Sequence, residues 1–128
     1  MNDHVAAFMD KARDSLGLAR LAADAGFAEG AVSRAYYAAF YAARAALLLH
    51  GEVPRTHAGA HNRFWVRFVK TGLISETTGG VLPYAFTMRQ KADYDAMTVL
   101  DVSAAYDLIA DVEAFVQAVE SLLQDSRI

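Results

Sequence analysis

The run from Ser33 to His50 sets the terms for the whole chain. It reads Ser-Arg-Ala-Tyr-Tyr-Ala-Ala-Phe-Tyr-Ala-Ala-Arg-Ala-Ala-Leu-Leu-Leu-His, has no Gly or Pro, and is dense in strong helix formers. As a helix it spans roughly 27 Å at 1.5 Å per residue, about the width of a small domain. Arg34, Tyr37, Tyr41 and Arg44 recur at three- and four-residue intervals, which makes a stripe of hydroxyls and guanidiniums along one side. Val32, Tyr36, Phe40, Ala43 and Leu47 form an adjoining apolar face, and Ala35, Ala38, Ala42 and Ala45 line another. Small side chains let neighbouring helix axes approach toward the short end of the usual 8–10 Å range. The expectation is a central helix buried nearly all round, with one polar seam.

The remaining composition fits a bundle built on that rod. A chain of 128 residues that is 55% hydrophobic has material for one core, which predicts one domain over 1–128 and excludes a disordered chain. There is no cysteine, so disulfide frameworks, thiol nucleophiles and thiolate metal sites are excluded. Arg34 and Arg44 interrupt the richest apolar run, and Met-Asn-Asp-His-Val at the start lacks the basic region of a secretion signal. A soluble, cytoplasmic protein without a membrane association is expected. The net charge of −3 argues against general coating of nucleic acid. Its distribution is uneven: Arg55, Arg63, Arg67 and Lys70 fall between Glu52 and Glu76 with His57 and His61, and acids gather after Asp101.

Helical periodicity continues along the chain. Asn2 or Asp3 caps a first helix whose face is Val5, Phe8, Ala12, Leu16, Ala19 and Ala23, and Gly26 stops it. A short connection makes the second helix, Phe27 to Leu49, antiparallel to the first; it ends at Gly51, with Pro54 beyond. Thr56 caps a third helix with Phe64, Trp65, Phe68 and Val69 expected inward and Arg63, Arg67 and Lys70 on a solvated face. Ser75 to Gly80 reads as a turn-rich break, after which a fourth helix runs from about Val81 to Met97. Asp101 or Ser103 caps a fifth, whose core stripe is Ala105, Leu108, Val112, Phe115, Val119 and Leu122. The expected fold is all-α, an up-and-down antiparallel bundle of about five helices.

Familiar catalytic patterns are missing. His57 and His61 share a helical face, but the residues between them are Ala-Gly-Ala, so the zinc-protease pattern fails and no metal is expected. No nucleophile elbow, phosphate loop or dinucleotide fingerprint occurs, and no cofactor is implied. What remains is a polar set drawn from three helices: Arg34, Tyr37 and Tyr41; Arg55, His57 and His61; Arg89, Asp93 and Tyr94. The plain alternative for Arg89 and Asp93 is a surface ion pair, and for the tyrosines a core position with satisfied hydroxyls.

These residues belong to words that resemble the HEPN (higher eukaryote and prokaryote nucleotide-binding) domain family, in its small single-domain bacterial and archaeal branch. The words are the stretch 33–45, Lys11-Ala-Arg-Asp-Ser-Leu, Pro54-Arg-Thr-His-Ala-Gly with Phe64, Phe68-Val-Lys-Thr-Gly-Leu, and Arg89-Gln-Lys-Ala-Asp-Tyr, with Ala114-Phe-Val in the last helix. The resemblance implies a bundle that forms a homodimer with a polar cleft near the interface. It also implies a minimal nucleotidyltransferase as partner, in a toxin–antitoxin or related two-component system, with nucleotide or RNA as ligand. Many such proteins are metal-independent RNA endonucleases carrying an Arg, four to six residues, then a His. Arg55 with His61 and Arg44 with His50 meet that spacing, while Arg89-x-x-Ala-Asp-Tyr occupies the polar position of this branch. Three readings stay open: a nucleotidyltransferase partner binding nucleotide or RNA, an endonuclease toxin using His57 or His61 with Arg89 or Arg34, and a structural dimerisation module.

Overall fold

Each predicted helix forms, and side-chain caps and glycine stops set several of the helix ends. The computed structural model describes residues 2–97 and 99–125. Helix α1 (Asp3–Asp24) starts where the Asn2 side chain accepts from the Val5 N–H at 2.8 Å. Gly26 then takes φ 86°, a conformation L side chains avoid, and the Gly26 and Phe27 amides donate to the Ala23 and Ala22 carbonyls. Helix α2 (Ala28–Leu49) ends in the same way, with Gly51 at φ 74° and the Gly51 and Glu52 amides donating to Leu48 and Leu47. That second turn fixes the direction in which Glu52 leaves the bundle.

Helix α3 (His57–Phe64) is capped by Thr56 and runs on into one π-helical turn, Trp65–Val69. A four-residue turn α4 (Glu76–Gly79) comes next, followed by α5 (Val81–Tyr94) and α6 (Val102–Leu123), the last capped by Asp101. Among the described residues there is no strand. Cross-helix pairs give the directions. Phe8 meets Tyr41 and Gly30 meets Ala22, so α1 and α2 are antiparallel. Arg13 meets Glu120 and Arg20 meets Glu113, so α1 and α6 are antiparallel as well.

The core forms around α2, which packs against α1, α3, α5 and α6. Its alanines at 31, 35, 38, 39, 42, 43, 45 and 46 are buried, as is the whole expected stripe of α6. Three details differ from the sequence reading. Trp65 is exposed, because the π turn adds a residue to the helical repeat and brings Phe64, Phe68 and Val69 to one side without it. The break after Ser75 contains α4, whose Gly79 lies against Val69 so closely that an added Cβ would stand 2.3 Å from its Cγ2. Helix α5 ends at Tyr94 rather than Met97, since the Asp95 carboxylate accepts from the Met97 N–H and draws the chain into a turn. No helix among the described residues is long and apolar enough to cross a membrane.

Candidate functional site

Tyr36, which periodicity assigns to the apolar face of α2, is the centre of the polar cluster. Its side chain is fully buried, and a buried phenol needs a partner. It has two: the hydroxyl lies 2.6 Å from His57 Nδ1 and 2.9 Å from His61 Nε2. The Thr56 cap makes His57 the first residue of α3, and one helical turn brings His61 onto the same face, so both rings reach one oxygen. Phe40 stacks on His57 with centroids 4.3 Å apart, and Phe86 of α5 closes over Tyr36 at 5.3 Å.

Cations flank this aromatic wall. The Arg89 guanidinium sits 4.9 Å from the Tyr37 ring centre and 5.7 Å from that of Tyr36. Its Nε is buried 3.3 Å from Asp93, close enough for an ion pair but not aligned for a hydrogen bond, so the carboxylate holds the guanidinium by charge. Arg44 lies over Phe8 at 4.5 Å and Phe40 at 5.8 Å.

These neighbours set the protonation of the cluster. Burial first, then the Arg89 and Arg44 charges, holds the His57 imidazole below its usual range. Burial, with repulsion from His57, lowers His61 to about 4. Burial outweighs the attraction of Arg89 and raises the Tyr36 phenol. At neutral pH the cluster is therefore two neutral imidazoles and a neutral phenol beside two guanidiniums. Such a set can bind a phosphate oxygen and exchange protons with it.

The sequence-predicted residues divide accordingly. His57, His61, Tyr37, Arg89 and Asp93 come together around Tyr36. Arg55 is exposed and shares the lining of an open cavity of about 340 Å³ with Phe40, Arg44 and His57. Tyr41 is one turn away, stacked on Phe8 with the Lys11 ammonium 5.4 Å from its ring. Arg34 is exposed and makes no ion pair among the described residues, and Tyr94 is 82% exposed at the end of α5. The spacing match of Arg44 with His50 separates in space, because His50 packs on Phe68 while Arg44 lies over Phe8. Charge on the basic sector is also partly spent. Arg63 and Arg67 both bind Glu52, whose carboxyl their hydrogen bonds hold below the usual range.

Tyr36 is the residue the sequence reading missed as polar. One signal was available: a tyrosine on an otherwise apolar face implies a buried hydroxyl in need of a partner, and the His57–His61 pair could supply one. Among the described residues, no three His, Asp or Glu side chains are grouped so as to hold a metal ion, and both histidines spend a ring nitrogen on Tyr36.

An all-helical bundle with a half-buried His–Tyr–His chain beside two arginines is the class of protein this geometry defines. A family model for the HEPN domain matches residues 5–122, and the chain belongs to the HEPN family. A protein of Methanocaldococcus jannaschii carrying the name "Putative toxin MJ0605" is 30% identical, over 98% of this chain and 92% of its own length. A UPF0332 protein of Thermotoga maritima is 33% identical over 90% of this chain and 87% of its own. One from Gloeobacter violaceus is 36% identical over 91% and 94% respectively.

Proposed function

We propose that this chain is the HEPN component of a cytoplasmic toxin–antitoxin type pair, with a minimal nucleotidyltransferase as its partner. The cluster around Tyr36 would take the phosphate of a nucleotide or RNA. The observation that carries the reading is the juxtaposition of Arg89 with the His57–Tyr36–His61 chain, which assembles phosphate-binding and proton-exchanging groups from three helices. The toxin name of a relative that matches nearly end to end supports the two-component part. A homodimer is the expected working unit, and the exposed Leu21 and Phe27 at the α1–α2 corner are apolar surface suited to burial between copies. Sedimentation at 13.9 kDa, the mass of one chain, would rule the dimer out. Expression of the chain alone should slow growth, co-expression with a minimal nucleotidyltransferase should restore it, and His57→Ala should abolish the effect. Growth unimpaired by the folded wild-type chain and unchanged by the nucleotidyltransferase would reject the two-component reading.

The neutral imidazoles favour a second reading, a metal-independent RNA endonuclease. The ribose 2′-hydroxyl would attack the adjacent phosphorus in line, displacing the 5′-oxygen of the next nucleotide. His57 or His61 would take or give the proton, and Arg89 would neutralise the phosphorane. His57→Ala and Arg89→Ala should then each remove cleavage without loss of helicity by circular dichroism. Structured and single-stranded RNA left intact by concentrated wild-type protein would exclude this reading.

A further inference from the structure

The two hydrogen bonds of Tyr36 carry a consequence for both histidines. A phenol has one proton to donate, yet its oxygen faces His57 Nδ1 at 2.6 Å and His61 Nε2 at 2.9 Å. With both contacts made, one imidazole accepts from the hydroxyl and the other donates to it. We propose that Tyr36 is a positioning residue that locks the second ring nitrogens of His57 and His61, those not bonded to it, into opposite roles, one a proton donor and the other an acceptor.

There are two arrangements. In the first, Tyr36 donates to His57 Nδ1, so His57 carries its proton on Nε2, while His61 donates from Nε2 and leaves Nδ1 as a lone pair. In the second, His57 donates from Nδ1 and leaves Nε2 as the lone pair, while Tyr36 donates to His61 Nε2 and His61 carries its proton on Nδ1. The two interconvert with protons in balance. A proton arriving at His57 Nε2 sends the Nδ1 proton to the Tyr36 oxygen, the phenolic proton to His61 Nε2, and the His61 Nδ1 proton out. The site therefore offers one base and one acid without a net charge, and each transfer of a proton exchanges their roles.

The surroundings keep this chain neutral. Arg44 and Tyr37 face it from α2 and Arg89 from α5, and the Asp93 carboxylate reaches it only through Arg89. A second proton on the chain is opposed by the two guanidiniums and by the first. When one imidazole is charged it donates to Tyr36 from its inner nitrogen, so the other is forced to accept. His61, titrating only at about 4, is the ring that stays neutral.

The use made of these protons rests on the reading of the cluster as the functional site, but the lock itself can be tested without a ligand. Long-range nitrogen–proton NMR on histidine-labelled protein, assigned with His57→Gln and His61→Gln, reads the tautomer of each ring as pH falls. With His57 charged and His61 neutral, His61 is expected to carry its proton on Nδ1. Tyr36→Phe should release it to the Nε2–H form. A neutral His61 that keeps its proton on Nε2 while His57 is charged in the wild type would overturn the proposal, and that result needs no variant at position 36. A lock confirmed in a protein that binds no nucleotide or RNA would reject the functional reading and leave this one standing.

Discussion

At the scale of single residues, the cluster stores a pH dependence in the fold. His61 titrates near 6.5 when unfolded and at about 4 when folded, and His57 is also lowered. Between those values the unfolded chain binds more protons than the native one, so stability rises with pH across the window. It is fully present above about 6.5, declines as pH falls, and the His61 contribution is gone below its folded value. Thermal unfolding followed from pH 7 to pH 4 should show a falling midpoint, and His61→Gln should flatten that fall. A midpoint equally pH-dependent in wild type and variant would show that the imidazole is not held neutral by its surroundings. The surface pairs Arg13–Glu120 and Arg20–Glu113 contribute little by comparison, since exposed ion pairs give about 0.2–1 kcal/mol each.

At the scale of elements, the parts of the fold legible in the sequence were those decided locally. Asn2, Thr56 and Asp101 are caps because their side chains satisfy the first amides of a helix, and Gly26 and Gly51 are stops because only glycine takes their conformation without cost. The stripe of α6 was readable for the same reason, as its period is intrinsic to a helix. Three features were not local. The π turn at Trp65–Val69 exists because Phe64, Phe68 and Val69 must all reach the core, and no short-range signal marks it. Helix α4 is too short to show a period, and its place depends on the contact between Gly79 and Val69. The polarity of Tyr36 depends on α3 arriving with two histidines. In consequence, residue type alone singles out His57, His61, Tyr37 and Arg89, while periodicity places Tyr36, the residue they gather around, on the apolar face. Gly79→Ala tests the α4 contact directly. The added methyl should cost about 1–3 kcal/mol in urea unfolding through overpacking, and an unchanged midpoint would show that Val69 can give way.

At the scale of the whole molecule, α2 joins stability to function. One side of it is an alanine surface that lets α1 and α6 approach, and the same helix carries Tyr36, Tyr37, Phe40 and Arg44 into the cluster. Helices α3 and α5 contribute the imidazoles and Arg89, so the site exists only when three elements are packed together. Any shift of α3 or α5 against α2 therefore changes the site. Whether this cluster receives a phosphate-bearing ligand is tested by an NMR titration with a short single-stranded RNA. The largest shifts are expected at the His57 and His61 rings and the Arg89 side chain, with affinity lowered about ten-fold or more by Arg89→Ala, a loss of about 1.4 kcal/mol. Saturable binding that leaves those signals unmoved, or that Arg89→Ala does not weaken, would contradict it.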